Sequence, residues 1–264
     1  MAMTDGAADP ILDCYKRLLD IPNDEYESIL QRLYSMVLRE GDVAVDVGAH
    51  VGRHTLPMAE CVGASGQVIA FEPLPHLYDR LSGVISASGN LNVELHNIAL
   101  SRETGQAEFV HVEDAPGLSG LMHRTSQNGH FIKKITVSVD TLDNIVQADR
   151  PVRFIKIDAE GADFFILQGA TRVLMQDRPV VVFESGRMKS FPAKSYGYTQ
   201  AEFEEFFRVY SYAIYDIAGF RFDYCYWNIP TLNDFVALPI EREGHYREML
   251  LASVLSQLGI NGRR

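Results

Sequence analysis

The stretch Val43 to Gly52, Val-Ala-Val-Asp-Val-Gly-Ala-His-Val-Gly, constrains the fold more than any other part of this chain. A β-branched apolar run ends at an acid, two glycines bracket a short turn, and a helix-like segment follows from Arg53. Strand, glycine-rich turn and helix, in that order, are where an α/β sheet brings its backbone up to a ligand. The pattern is neither the dinucleotide G-x-G-x-x-G nor the phosphate-cradling G-x-x-x-x-G-K-[ST].

The rhythm set there continues. Strands are expected at about 43–47, 67–71, 93–98, 152–157 and 179–184, and helices near 52–62, 74–87 and 161–176. The strands are near-continuous apolar runs, such as Val68-Ile69-Ala70-Phe71 and Val180-Val181-Val182-Phe183, as in a sheet covered on both faces. Such alternation means right-handed βαβ units in a doubly wound sheet, with ligands beyond the carboxyl ends of the strands. Residues 105–139 interrupt it: 107–112 and 132–139 look strand-like around a polar stretch, which reads as an inserted β-hairpin or flap near the ligand mouth. Ahead of the sheet, residues 10–39 carry two helical stripes, which cover a sheet edge or the cofactor mouth. The last third holds a loop over 185–198 with Arg187, Lys189, Lys194 and two tyrosines, which could form a lid. It then has a helix near 199–209, strands around 211–217 and 234–238, and a helix near 244–257. The expected organisation is a single domain over 1–264: a helical extension (1–40), a Rossmann-like core (42–240) and a C-terminal helix (241–264).

A net charge of -11, without a Lys/Arg block, argues against nucleic acid as a partner. The three cysteines, Cys14, Cys61 and Cys225, are odd in number and dispersed, which fits reduced thiols in a cytoplasmic protein. Met1 to Pro10 lacks the features of a signal peptide, and no apolar run approaches the roughly 18 residues of a membrane span. A homo-oligomer is left open.

An acid at the strand end followed by Gly-x-x-x-Gly is similar to the first motif of class I S-adenosylmethionine (SAM) methyltransferases. SAM makes demands that can be checked further along. Its amino-acid end must lie close to backbone, which Gly48 and Gly52 permit, while Asp46 can order the turn or reach the ammonium through water. Its ribose hydroxyls need a carboxylate about twenty residues onward, and Glu72 in Phe71-Glu72-Pro73 stands there. Adenine needs an apolar sandwich and edge hydrogen bonds, for which Asn97 and the Ala99 backbone are suitable. Asp158 and Glu160, in Ile155-Lys-Ile-Asp-Ala-Glu-Gly161, end a central strand. There they could orient an acceptor hydroxyl or amine, act as a general base, or hold a divalent cation, and Glu160 could also cap the next helix. Lys156 reads as an ion-pair partner for one of these acids.

Taken in order, Asp46-Val-Gly-Ala-His-Val-Gly52, Phe71-Glu-Pro73, Asn97-Ile-Ala-Leu-Ser101, Val139-Asp-Thr-Leu-Asp143, Ile155 to Gly161, Leu167-Gln-Gly-Ala170 and Arg178 to Glu184 resemble the FkbM family of SAM-dependent methyltransferases over about residues 42–185. The resemblance implies a seven-stranded Rossmann-like sheet with an antiparallel final hairpin, and methyl transfer, usually to oxygen, of a small-molecule or natural-product acceptor. It places Asp46, Gly48 and Gly52 at the methionine end, Glu72 at the ribose, and Asp158 and Glu160 near the transferring methyl. The chain departs from the family at His50, where Asn is the norm, so cofactor binding is expected to vary with pH.

His50 and His54 stand four apart, but His50 falls in the turn and no glutamate follows it as a base, so no metal site is assigned. His54 is a secondary candidate for general base, behind Asp158 and Glu160. The competing readings are N-methylation of an amine or peptide, a non-catalytic SAM-binding module, and an NAD-dependent dehydrogenase, whose glycine pattern is wrong. The acceptor itself is not legible; its selection is expected to fall to the 105–139 insert, the 185–198 loop and the terminal helices.

Overall fold

The computed structural model describes residues 23–89, 92–123, 127–184, 197–222 and 234–258. The first expected helix, most of the 185–198 loop with Arg187, Lys189, Lys194 and Tyr196, and the aromatics Tyr224, Tyr226 and Trp227 lie outside them.

A seven-stranded sheet is built from β1 (Val43–Val47), β2 (Gln67–Phe71), β3 (Val93–His96), β7 (Val152–Ile157), β8 (Val180–Glu184), β9 (Tyr212–Asp216) and β10 (Asp234–Pro239). Its order is β3-β2-β1-β7-β8-β10-β9, and the pairs from β3 across to β8 are parallel. The last strand in the chain, β10, runs antiparallel to both β8 and β9, which completes the expected doubly wound Rossmann-like sheet.

Every residue of β1 is buried, because both faces of the sheet are covered. Val43, Val45 and Val47 pack on one face with α5 (Asp163–Gln168), α6 (Thr171–Gln176) and α7 (Gln200–Val209). Ala44, Phe154, Val182 and Val236 pack on the other with α1 (Asn23–Val37), α2 (Thr55–Val62) and α8 (Glu243–Gln257). In α1, the stripe Ile29, Leu30, Leu33, Tyr34 and Val37 is what enters this core. A further helix, α3 (Pro75–Ser88), follows β2. α7 starts where expected because Thr199 and Glu202 form a reciprocal capping box. Tyr198, from the proposed lid loop, is buried against Phe164.

Two expectations change. The segment 161–176 is two short helices, because Gly169 passes so close to the chain that a Cβ there would lie 2.2 Å from the Ser101 carbonyl oxygen. Asp143, in the short helix α4 (Leu142–Ile145), then restarts the chain: its carboxylate accepts the backbone N–H groups of Arg172 (2.7 Å) and Val173 (3.0 Å). The inserted hairpin forms as expected, but the strand before it is divided. β5 (Gly105–Val112) pairs antiparallel with β6 (Ile132–Asp140), and β4 (Ala99–Leu100) joins β6 in parallel as a third strand. The strand expected over 93–98 therefore ends at His96, and the chain crosses into this second sheet.

Candidate active site

The turns after β1, β2, β3 and β7 meet beyond the carboxyl ends of the strands. Gly48 is held there at φ +79°, and a Cβ on it would sit 2.0 Å from the Asp158 carbonyl oxygen, so the β1 and β7 turns touch through bare backbone. The Gly48 and Ala49 N–H groups both donate to the Phe71 carbonyl, and the Asp158 N–H donates to the Val47 carbonyl. His50 follows at φ +48°, a left-handed conformation that non-glycine residues avoid. Its N–H donates to Glu72 Oε2 at 2.8 Å, and the Leu74 N–H donates to Oε1 at 2.9 Å. The Glu72 carboxylate, 4% exposed, thus clamps the turns after β1 and β2 together. Burial pushes its pKa above the ordinary range, against the pull of those two donors.

These turns line a cleft of about 200 Å³. Of the residues singled out in the sequence, Gly48, His50, Glu72, Ala99, Asp158 and Glu160 line it, and Asp46, Gly52, His54 and Asn97 do not. Asp46 lies fully buried beneath the turn, accepting the Thr55 hydroxyl at 2.6 Å. Gly52, at φ +85°, lets the start of α2 approach Leu81 on α3. The Asn97 amide donates to the carbonyls of Glu72 (2.8 Å) and Pro73 (3.2 Å) and so holds the turn after β2. The His54 ring is buried under α1, with Nε2 2.5 Å from Glu27 and the ring edge-on to Tyr34.

Lys156 ties the site together from below. Its ammonium is 3.6 Å from Asp46, 3.5 Å from Asp158 and 3.3 Å from the Gly48 carbonyl. Burial would pull its pKa down, but the two carboxylates outweigh that and hold it above the ordinary lysine value, so it is a fixed cation and not a nucleophile.

On the β7–β8 side stands a group of acids that the sequence reading did not assemble. Carboxylate oxygens of Asp158, Glu160 and Glu184 lie within 4.8 Å of one another, a spacing at which a divalent cation could be held. Asp163 sits behind them, accepting the N–H groups of Gly161 and Glu184 at 3.1 Å each. Asp163 and Glu184 are pushed well above ordinary carboxylate pKa values, first by burial and then by repulsion from Asp158. Asp234 rises to about 7 for the same reasons. The signal in the sequence was an acid at the end of each strand run, which Glu184 gives as plainly as Asp158. Asp234 was hidden because it begins its strand, and only antiparallel pairing with β8 brings it to the same end of the sheet.

The fit to a cofactor rests on the cleft that Gly48, His50 and the buried carboxylate of Glu72 line together. Residues 46–222 match the methyltransferase FkbM domain, and the chain belongs to the FkbM methyltransferase family, whose cofactor is S-adenosyl-L-methionine. It is 30% identical over 152 residues to the hexuronic acid methyltransferase AglP of Haloferax volcanii, covering 57% of this chain and 59% of that protein. It is 45% identical over 58 residues to protein-L-isoaspartate O-methyltransferase 2 of Archaeoglobus fulgidus, covering 22% of this chain and 26% of that one. Among solved structures, a SAM-dependent methyltransferase from Aquifex aeolicus aligns with a TM-score of 0.42 at 14% identity, covering 88% of this chain and 97% of that one. Among the described residues, no helix is long and apolar enough to cross a membrane.

Proposed function

We propose that this protein methylates a hydroxyl group of a small molecule of the sugar or polyketide type, working as one methyltransferase domain in the cytoplasm. The observation that carries the reading is that Asp158 and Glu160 line the same cleft as Gly48 and Glu72. An acceptor reaching the methyl donor must pass these carboxylates. SAM, when bound, supplies a methyl on a positively charged sulfur with a good leaving group. The backbone at Gly48 and His50 receives its amino-acid end, and Glu72 has lone pairs left for ribose hydroxyls after accepting His50 and Leu74. Asp46, Gly52 and Asn97 act by holding those turns in place.

What remains for the protein is to align the acceptor and to take its proton as the new bond forms. Asp158 is the base we assign: it lines the cleft, is fixed by Lys156, and leaves part of its carboxylate exposed. Glu160 stands beside it to orient the acceptor. His54, held under α1 by Glu27, supports the start of α2 instead. The likeness to the hexuronic acid methyltransferase favours a sugar-type acceptor. That α1, α8 and the central strands share one core favours a single domain.

The test is to supply SAM with a panel of uronic acids, neutral sugars and hydroxylated polyketides, and to follow S-adenosylhomocysteine (SAH) release and product mass. The expected outcome is an O-methylated product, with Asp158→Asn lowering kcat by about 100-fold or more while SAH affinity stays within a few-fold. A methyl found on nitrogen, or turnover by Asp158→Asn close to wild type, would sink this assignment.

A further inference from the structure

The cleft has two unlike ends, and among the described residues the insert packs with the apolar one. On the β7 side lie Asp158 and Glu160; on the far side, past β1 and β2, the floor is Leu74, Leu77 and Ala99. Facing that floor, and packed into one apolar cluster with it, are Phe109 and Leu121 from the insert.

The insert is braced as a wall and does not hang as a flap. Val110 and Gly120 exchange two backbone hydrogen bonds (2.8 and 3.1 Å), which folds the 113–120 segment back along β5. Ser119 accepts the Val112 N–H at 2.9 Å, and Gln127, fully buried, donates to the Leu118 carbonyl at 2.6 Å. The His76 and His111 rings meet at 5.0 Å and fasten the insert to α3. Among the described residues, Ser119 is the polar side chain that the insert brings to the cleft wall, and its oxygen already accepts that main-chain bond. A polyhydroxylated acceptor finds little to bond to there. A flat, weakly hydrated aromatic ring finds apolar surface on two sides.

We propose that the insert is the second jaw of the adenine site, with Phe109 and Leu121 closing on the purine from the side opposite Leu74 and Ala99. The insert then selects the methyl donor, and the acceptor enters from the acidic β7–β8 side. This inference uses the family's cofactor and does not depend on which acceptor atom is methylated.

The experiment is calorimetric binding of SAH and, separately, of adenosine, to wild-type protein and to Phe109→Ala and Leu121→Ala, without acceptor. Both variants should weaken both ligands in parallel, by about 10-fold, as expected for loss of one large apolar contact. Adenosine that fails to compete for the wild-type site, SAH weakened with adenosine unchanged, or both ligands within about two-fold of wild type would each overturn the proposal. Ligand-free melting curves check folding. Should Phe109→Ala not fold, Leu121→Ala, at a half-buried position, decides the matter. Failure of the O-methylation assay with tight, nucleoside-dependent SAH binding would remove the proposed acceptor chemistry and leave this assignment standing.

Discussion

At the scale of single residues, His50 stands in a left-handed backbone conformation that non-glycine residues seldom adopt. At φ +48° asparagine is the least strained non-glycine residue, whereas histidine is held there by the bond from its N–H to Glu72. Burial pushes the His50 pKa below its ordinary value, with Asp158 pulling the other way, so the native state favours neutral imidazole. As pH falls below about 6.5 the unfolded chain takes up this proton first, so the stability this group contributes is present above that pH and lost below it. A protonated ring would also repel the cationic cofactor. SAM affinity is therefore expected to be level above about pH 6.5 and to weaken only below it. His50→Asn should remove that dependence; a flat wild-type profile from about pH 5.5 to 8 would count against it. Asp234 carries the opposite sign. Burial and Asp158 raise it to about 7, so the native state keeps a proton that the unfolded chain has lost, and stability falls as pH rises toward that value. Asp234→Asn should raise Tm at pH 8 by about 3 °C or more, with a smaller gain at pH 5, measured by thermal melting. A gain equal at both pH values would exclude a charge origin.

At the scale of elements, the short helices α5 and α6 show how one spacing can satisfy two patterns. Residues 161–176 read as one helix because their apolar positions stay in phase across the break. The break comes from a neighbour more than sixty positions away, the Ser101 carbonyl against Gly169, and no local pattern contains it. Asp143 repairs the interruption as a cap supplied from another helix, accepting two N–H groups and the Thr171 hydroxyl at 3.2 Å. Asp143→Ala should cost about 1–2 kcal/mol of stability in denaturant unfolding and leave SAH affinity unchanged. A change in SAH affinity larger than the stability loss explains would mean that α6 reaches the site. The insert teaches a related lesson. Its alternation announced strands, but its bracing by Ser119 and Gln127, and its position over Leu74 and Ala99, depend on contacts between separate elements.

At the scale of the whole molecule, the sequence by itself determined the strands and their apolar character, the glycine turn after β1, and the acids that end β2 and β7. Those features follow from local chemistry: side-chain period, the need for glycine where backbone meets backbone, and the placement of carboxylates at strand ends. Their order along the chain was enough to point to SAM. The tertiary structure alone decided which of them share a cleft. Parallel pairing in the order β3-β2-β1-β7-β8 brings Gly48, Glu72 and Asp158 together, while Asp46 and His54 fall beneath the turn on the face covered by α1 and α2. Antiparallel insertion of β10 between β8 and β9 carries Asp234 to the same end as Glu184, where low dielectric and like charge shift both from ordinary behaviour. Such shifts need several groups from distant parts of the chain within a few ångströms, and sequence distance carries no information about that. For the same reason His54, although it stands in the first turn after the glycine motif, lies buried against Glu27 of α1 and outside the lining of the cleft.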